Sequence, residues 1–210
     1  VWRMDFDKHG HTPNASNTIM QPYKILGVKE HTSTVKGVAF DPAGKYVASS
    51  GDDPSLCIWR AFDDWGLESR VDSSSGIFQQ DVQSLANLSM FRRISFAPDG
   101  THVCATNAML RKKNIAAMVS RDGWGVSAKK NANVAGAANL VGHKQPVVSS
   151  RHCPYLFGKL EEENSNGENA NKEDTDVEPE YSTLVALGDK KGFVTIWSTK
   201  KSRPIFKLQC

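Results

Sequence analysis

His31, Ser49 and Asp53 are, by type, the three residues of a nucleophilic acyl-transfer site: a hydroxyl to attack, an imidazole to take its proton, a carboxylate to hold the imidazole. Their surroundings argue for another chemistry. No strained Gly-x-Ser-x-Gly elbow presents Ser49 as a nucleophile. Ser49 ends the short apolar run that begins at Tyr46, and Trp59 adds an indole donor that acyl transfer does not need. The expected role is a hydrogen-bonded network that ties strands together. Replacing Ser49 by Ala is then expected to lower thermal stability, with no hydrolase activity to lose.

Other reactive types are as poorly placed for catalysis. His152 and Cys153 are adjacent metal-ligating types, but no second pair is spaced to complete a site, so His152 reads as a core residue. Cys57, Cys104, Cys153 and Cys210 lie far apart with no Cys-x-x-Cys, which excludes a zinc ribbon or a dense disulfide framework and fits reduced intracellular thiols. Phosphate-binding loops and nucleophile–base pairs are missing, so no catalytic, cofactor-binding or metal residue is expected.

Charge is distributed unevenly. The chain carries a net +3, yet nine carboxylates and only two lysines lie between Lys159 and Glu180, beginning with Glu161, Glu162 and Glu163. That stretch has too little apolar area to offset its ordering entropy, so disorder is expected over about 159–180. It reads either as a solvated insertion or as a flexible polyanion that screens a basic partner. Arg111, Lys112 and Lys113 form a basic loop, with Lys129 and Lys130 further on. Without interleaved aromatics for base stacking, it reads as a solvated turn or as a contact for DNA or an acidic partner segment. Apolar runs such as Ile115–Val119 fall far short of the roughly 20 residues of a membrane span.

The elements that must position these residues come from a repeat. Val38–Ser49 reads VAFDPAGKYVAS and Ile94–Ala105 reads ISFAPDGTHVCA: a strand, a Pro-x-Gly turn and a strand. In the first unit Val35, Val38 and Phe40 supply the apolar positions of an inner strand, and Leu56, Ile58 and Trp59 make a third strand. The second unit puts Asn87 in the place of His31 and Phe91 in that of Val35. Its ending departs, running through Thr106–Met109, the basic loop, a strand Ile115–Val119 and Arg121-Asp122-Gly123-Trp124. The third opens at Gly142-His143, puts His152 at the Phe40 position and ends in Val194–Trp197. Lys191 stands where an Asp is wanted, and Asp189 is the substitute in a longer turn. Trp2 resembles the end of a previous unit and Pro204–Leu208 the first strand of a following one. Short antiparallel units of this kind bury their faces only by stacking on copies of themselves.

The opening His, an Asp six residues before a closing Trp and the Val-x-Phe-x-Pro-x-Gly between them resemble a WD repeat. The resemblance implies an all-β fold: an incomplete β-propeller over 1–210, with about three blades plus fragments of two neighbours. The units are about 23–59, 78–124 and 136–197. It also implies a tetrad of His31, Ser49, Asp53 and Trp59, with Trp2, His143 and Trp197 as landmarks of other blades.

A finer resemblance lies in the departures. Thr34–Tyr46, Asp52–Arg60, Phe91–Gly100, Asn107–Met109, Arg121–Trp124 and Val141–Lys144 follow in the order found in the amino-terminal propeller of the HIRA/Hir histone chaperones, over roughly residues 20–208. This implies a nuclear, non-enzymatic scaffold for replication-independent nucleosome assembly and transcriptional regulation. Histones three and four and other chaperone subunits would be its partners, and chromatin DNA an indirect one. No small-molecule substrate, membrane or cofactor is expected. The alternative is a scaffold of another complex, such as the WD-repeat subunit of the replication-coupled chromatin assembly factor or a ligase adaptor.

Overall fold

The computed structural model describes residues 2–3, 23–24, 30–78, 89–125, 137–158 and 181–209. Trp2–Arg3 (β1) pairs antiparallel with Tyr23–Lys24 (β2). Three four-stranded antiparallel meanders follow. The first is Val35–Phe40 (β3), Tyr46–Gly51 (β4), Leu56–Arg60 (β5) and Leu67–Val71 (β6). The second is Ser95–Phe96 (β7), His102–Leu110 (β8), Lys113–Ser120 (β9) and Ala137–Val141 (β10). The third is Val147–His152 (β11), then, after a two-stranded excursion of Phe157–Gly158 (β12) with Tyr181–Ser182 (β13), Leu184–Asp189 (β14), Phe193–Ser198 (β15) and Phe206–Gln209 (β16).

The turn chemistry explains the first hairpin of each of the first two sheets. Gly44 and Gly100 both sit at φ 69°, where side-chain-bearing residues are strained, and their amides close the turns onto Asp41 O and Ala97 O.

Strand periodicity explains the stacking, because alternate residues of the second sheet face the first sheet on one side and the third on the other. In β8 and β9, Val103, Ala105, Ile115, Ala117 and Val119 meet Ala48, Leu56, Ile58 and Val71 of the first sheet. The intervening Cys104, Ala116 and Met118 meet Val147, Val185, Leu187 and Trp197 of the third. The first two sheets approach closely near their inner strands. Ser50 Oγ donates to Arg92 O at 3.1 Å, and a Cβ on Gly37 would lie 1.8 Å from that same carbonyl, so only glycine fits there.

The same geometry changes the meaning of the inner-strand apolar residues. Val38 and Phe40 are 59% and 70% exposed, because they stand on the face away from the second sheet, whereas their counterparts Ile94 and Phe96 are buried against the first.

Sequence units and sheets are also out of phase. The strand that closes the first sheet, 67–71, falls between the units read as 23–59 and 78–124. The strand at 137–141, inside the unit 136–197, closes the second sheet rather than opening the third. Likewise β16 completes the third sheet by pairing with β15, although the sequence places it in a following unit. Asn87, Lys129, Lys130 and the acidic stretch 159–180 lie outside the described residues, as does Cys210. The backbone flanking the acidic stretch pairs as β12 and β13.

Candidate functional site

The first sheet assembles the four residues picked out in sequence. His31 precedes β3, Ser49 lies on β4, Asp53 in the turn to β5 and Trp59 on β5. Trp59 Nε1 donates to Ser49 Oγ at 2.8 Å, Ser49 Oγ lies 2.8 Å from His31 Nε2, and His31 Nδ1 lies 2.8 Å from Asp53 Oδ1. An indole can only donate and a carboxylate can only accept, so the proton order follows: Ser49 donates to Nε2 and His31 Nδ1–H donates to Asp53.

This wiring matches a catalytic triad up to the hydroxyl. There the likeness ends, because an indole N–H holds the Ser49 oxygen and the residue is buried. Burial on its own would raise the Asp53 pKa. Hydrogen bonds from Ser55, His31 and the Thr32 amide outweigh it and hold the carboxyl below its usual value. Arg70 Nη2 adds a contact at 3.2 Å.

The third sheet builds the same network from a different strand. His143 Nδ1 lies 3.1 Å from Asp189 Oδ2, His143 Nε2 lies 2.8 Å from Thr195 Oγ1, and Trp197 Nε1 donates to Thr195 Oγ1 at 2.8 Å. Ser49 faces Cys57 across the first sheet, while Leu187 faces Thr195 across the third. The hydroxyl has therefore crossed to the neighbouring strand, and an apolar residue has taken its old place. Asp189 also accepts from the Lys191 and Phe193 amides, the longer turn that its position requires. Thr195 is the residue that sequence reading misses, since a repeat read column by column seeks the hydroxyl at Leu187.

The second sheet has no such network at the matching positions, which hold buried Ala105, Ala117 and Val119. Two other devices hold it. Ser95 Oγ lies 2.8 Å from His152 Nδ1 and 3.2 Å from Ser150 Oγ, and Ser150 Oγ reaches Arg93 O and Cys104 O, stitching the second sheet to the third. The His152 and His102 rings meet edge to face at 5.2 Å. Burial first, and the His102 ring second, push the His152 pKa down to about 3, so the imidazole is neutral. His152 is thus a core residue bonded to Ser95, and no group of three metal-ligating side chains occurs among the described residues.

On the other side, Trp124 turns back between the first and second sheets. It is buried against Tyr46 at 5.2 Å and Phe96 at 6.2 Å, both edge-on, with its backbone at φ 46°. Arg121 Nη2 reaches Asp41 Oδ2 at 3.3 Å. The Arg121–Trp124 segment is therefore a wedge between sheets.

Cys57 and Cys104 are buried free thiols, pushed by that burial up to about 11 and about 12, far from reactive thiolates. The basic loop is a tight hairpin: Arg111 and Lys112 sit at φ 47° and 63° between Leu110 and Lys113, which pair. For Trp2, the structure places the backbone on β1. Glu161, Glu162 and Glu163 lie outside the described residues.

Stacked four-stranded meanders, joined at their inner strands and carrying His–hydroxyl–Asp–Trp networks, define a WD-repeat β-propeller protein, and residues 21–60 match the family of the WD domain, G-beta repeat. Protein HIR1 of Kluyveromyces lactis is 30% identical over 186 residues, covering 89% of this chain and 20% of that relative. Protein hir1 of Schizosaccharomyces pombe is 30% identical over 186 residues, covering 89% and 16%. The histone transcription regulator slm9 of the same yeast is 29% identical over 192 residues, covering 90% and 19%. Over about nine-tenths of its length the chain resembles the HIRA/Hir family of WD-repeat proteins, and it spans a fifth or less of the length of these relatives.

Proposed function

We propose that this chain acts as the propeller platform of a nuclear histone-chaperone subunit. It would hold other subunits together while histones three and four are deposited on DNA independently of replication, with effects on transcription. The observation that carries this reading is the Arg121–Trp124 wedge beside a sheet without a tetrad, a departure from generic WD repeats that lies within the stretch shared with the HIR1 relatives. Its network residues tie the strands of a sheet together, so the platform binds and does not catalyse; the chemistry of histone handling is charge screening. The acidic stretch 159–180 is the proposed polyanion for that purpose.

Affinity purification of the intact protein tests the reading. Histones three and four should be recovered together with nuclear assembly subunits. Recovery of ligase or trafficking subunits in their place would overturn it. Deletion of 159–180 should weaken histone binding at low salt, and unchanged binding would remove the polyanion from the proposal.

A further inference from the structure

Six exposed cations gather at one end of the second and third sheets. Arg111, Lys112 and Lys113 come from the β8–β9 turn, Lys144 from the loop before β11, and Lys190 and Lys191 from the β14–β15 turn. Two hydrogen bonds tie the three segments into one surface: Asn114 Nδ2 donates to Lys144 O at 3.1 Å, and the Lys190 amide donates to Pro146 O at 3.1 Å. The loop 142–146 therefore bridges the two turns. Across 110–114, 142–146 and 189–192 the sequence holds a single carboxylate, Asp189, and that group is buried on His143 and turn amides. Nothing within these three segments balances the five lysine charges. The first sheet differs at this end, since Asp52 meets Lys36 at 2.7 Å and Arg92 at 3.6 Å.

An apolar patch adjoins the rim. Met90 is 78% exposed and Phe91 47% exposed. Asn107, in the irregular part of β8 just before the basic turn, donates from Nδ2 to Phe91 O at 3.2 Å, and the Arg93 guanidinium lies over the Phe91 ring at 4.6 Å. We propose that this rim is a docking surface for an acidic protein segment that carries bulky apolar residues, its carboxylates against the five lysines and an apolar side chain on Met90 and Phe91. A phosphate backbone would use the charge and leave the apolar patch uncovered. An acidic, apolar-bearing segment covers both, with the charges steering encounter and the apolar contact slowing release. The surface does not depend on the histone-assembly reading, because histones are basic and a basic rim repels them.

The test uses the intact protein and three labelled probes followed by fluorescence anisotropy. They are a peptide of about 20 Asp and Glu residues with two Phe, its Asn/Gln counterpart, and a DNA duplex of about 20 base pairs, each at low and at about 0.3 M salt. The acidic peptide should bind at low salt and weaken with salt, and the Asn/Gln peptide should not bind. Lys112→Glu with Lys144→Glu and Lys191→Glu should weaken the acidic peptide at least about tenfold, while Arg203→Glu with Lys207→Glu should leave it unchanged. Met90→Ser with Phe91→Ser should weaken the Phe-bearing peptide, and a fourth probe, the same acidic peptide without Phe, should bind as before. The corresponding Lys→Gln variants, checked by thermal melting, separate loss of charge from loss of fold. Unchanged peptide affinity in the triple variant overturns the proposal. So does preferential binding of the duplex that the triple variant abolishes, which would make the rim a nucleic-acid surface.

Discussion

Arg121 and Asp41, 80 positions apart, meet across the boundary between the first two sheets, with the Arg121 Nη2 at 3.3 Å from the Asp41 carboxylate. Asp41 is buried and also accepts from the Lys45 amide, while the guanidinium reaches Gly100 O and lies 4.9 Å from the Tyr46 ring. Gly100 leaves room for the pair, since a Cβ there would come 2.8 Å from Arg121 Nη1 and 2.9 Å from Asp41 Oδ1. Arg121→Ala should cost about 1–2 kcal/mol, more than Asp41→Asn, which retains the shape of the acceptor. A double-mutant cycle by chemical denaturation should give a coupling of about 1 kcal/mol. A coupling near zero would mean that the two groups are neighbours without being energetically linked.

Gly37 permits a close approach of the first two sheets at their inner strands. Gly37→Ala places its methyl within 1.8 Å of Arg92 O and 2.8 Å of Ser50 Oγ, so the first two sheets must part. The expected loss is roughly 3 kcal/mol or more, against about 1 kcal/mol for Gly44→Ala, where no atom lies within 4 Å and only the positive φ is strained. Equal losses at the two glycines would refute the steric account.

The displaced hydroxyl makes a rescue experiment possible. Thr195→Val leaves both His143 Nε2 and Trp197 Nε1 buried without their shared partner and should cost about 2–3 kcal/mol. Adding Leu187→Ser to Thr195→Cys recreates the arrangement of Ser49 and Cys57, and should be more stable than Leu187→Ser with Thr195→Val only if the networks are interchangeable in detail. The clearer readout is that Leu187→Ser should partly restore the melting temperature of Thr195→Val. A purely additive loss from the two changes would refute the idea that the hydroxyl can be supplied from either strand.

Acid should loosen the boundary between the second and third sheets. His152 titrates near 3 when folded and near 6.5 when unfolded, so the unfolded chain binds the extra proton. The stability contribution is complete above about pH 6.5 and falls by about 1.4 kcal/mol per pH unit below it, until the folded group itself protonates near pH 3. Burial lowers His102 as well, in the same direction. Melting temperatures between pH 7.5 and 5 should fall in the native chain, and His152→Phe should flatten that slope. An unaltered slope would mean that other groups control it.

The propeller fold is legible in the alternation of Val38–Ser49 and Ile94–Ala105 and in the glycines that end their turns, because those features are local. The complete tetrad at His31, Ser49, Asp53 and Trp59 is legible for the same reason, as all four residues lie within one sheet and its entry loop. Thr195 is not, because its role depends on which residue faces it across the strands. Trp124 is visible as part of a motif, yet its place between Tyr46 and Phe96 arises from a turn at positive φ that composition does not encode. The exposure of Phe40 and the burial of His152, which share one register, depend on whether a described sheet lies against that face.

The middle sheet, with Ala105, Ala117 and Val119 where its neighbours keep their polar networks, has consequences for cooperativity. In a linear array each unit has an intrinsic free energy and a coupling to the next. Here the central unit lacks a polar network of its own kind and contacts both neighbours, through Trp124 and Arg121 on one side and through Ser95, Ser150 and His152 on the other. Such an array should melt in one step, because loss of either neighbour exposes a face of the middle unit. Disturbance at one edge is then carried across all three sheets.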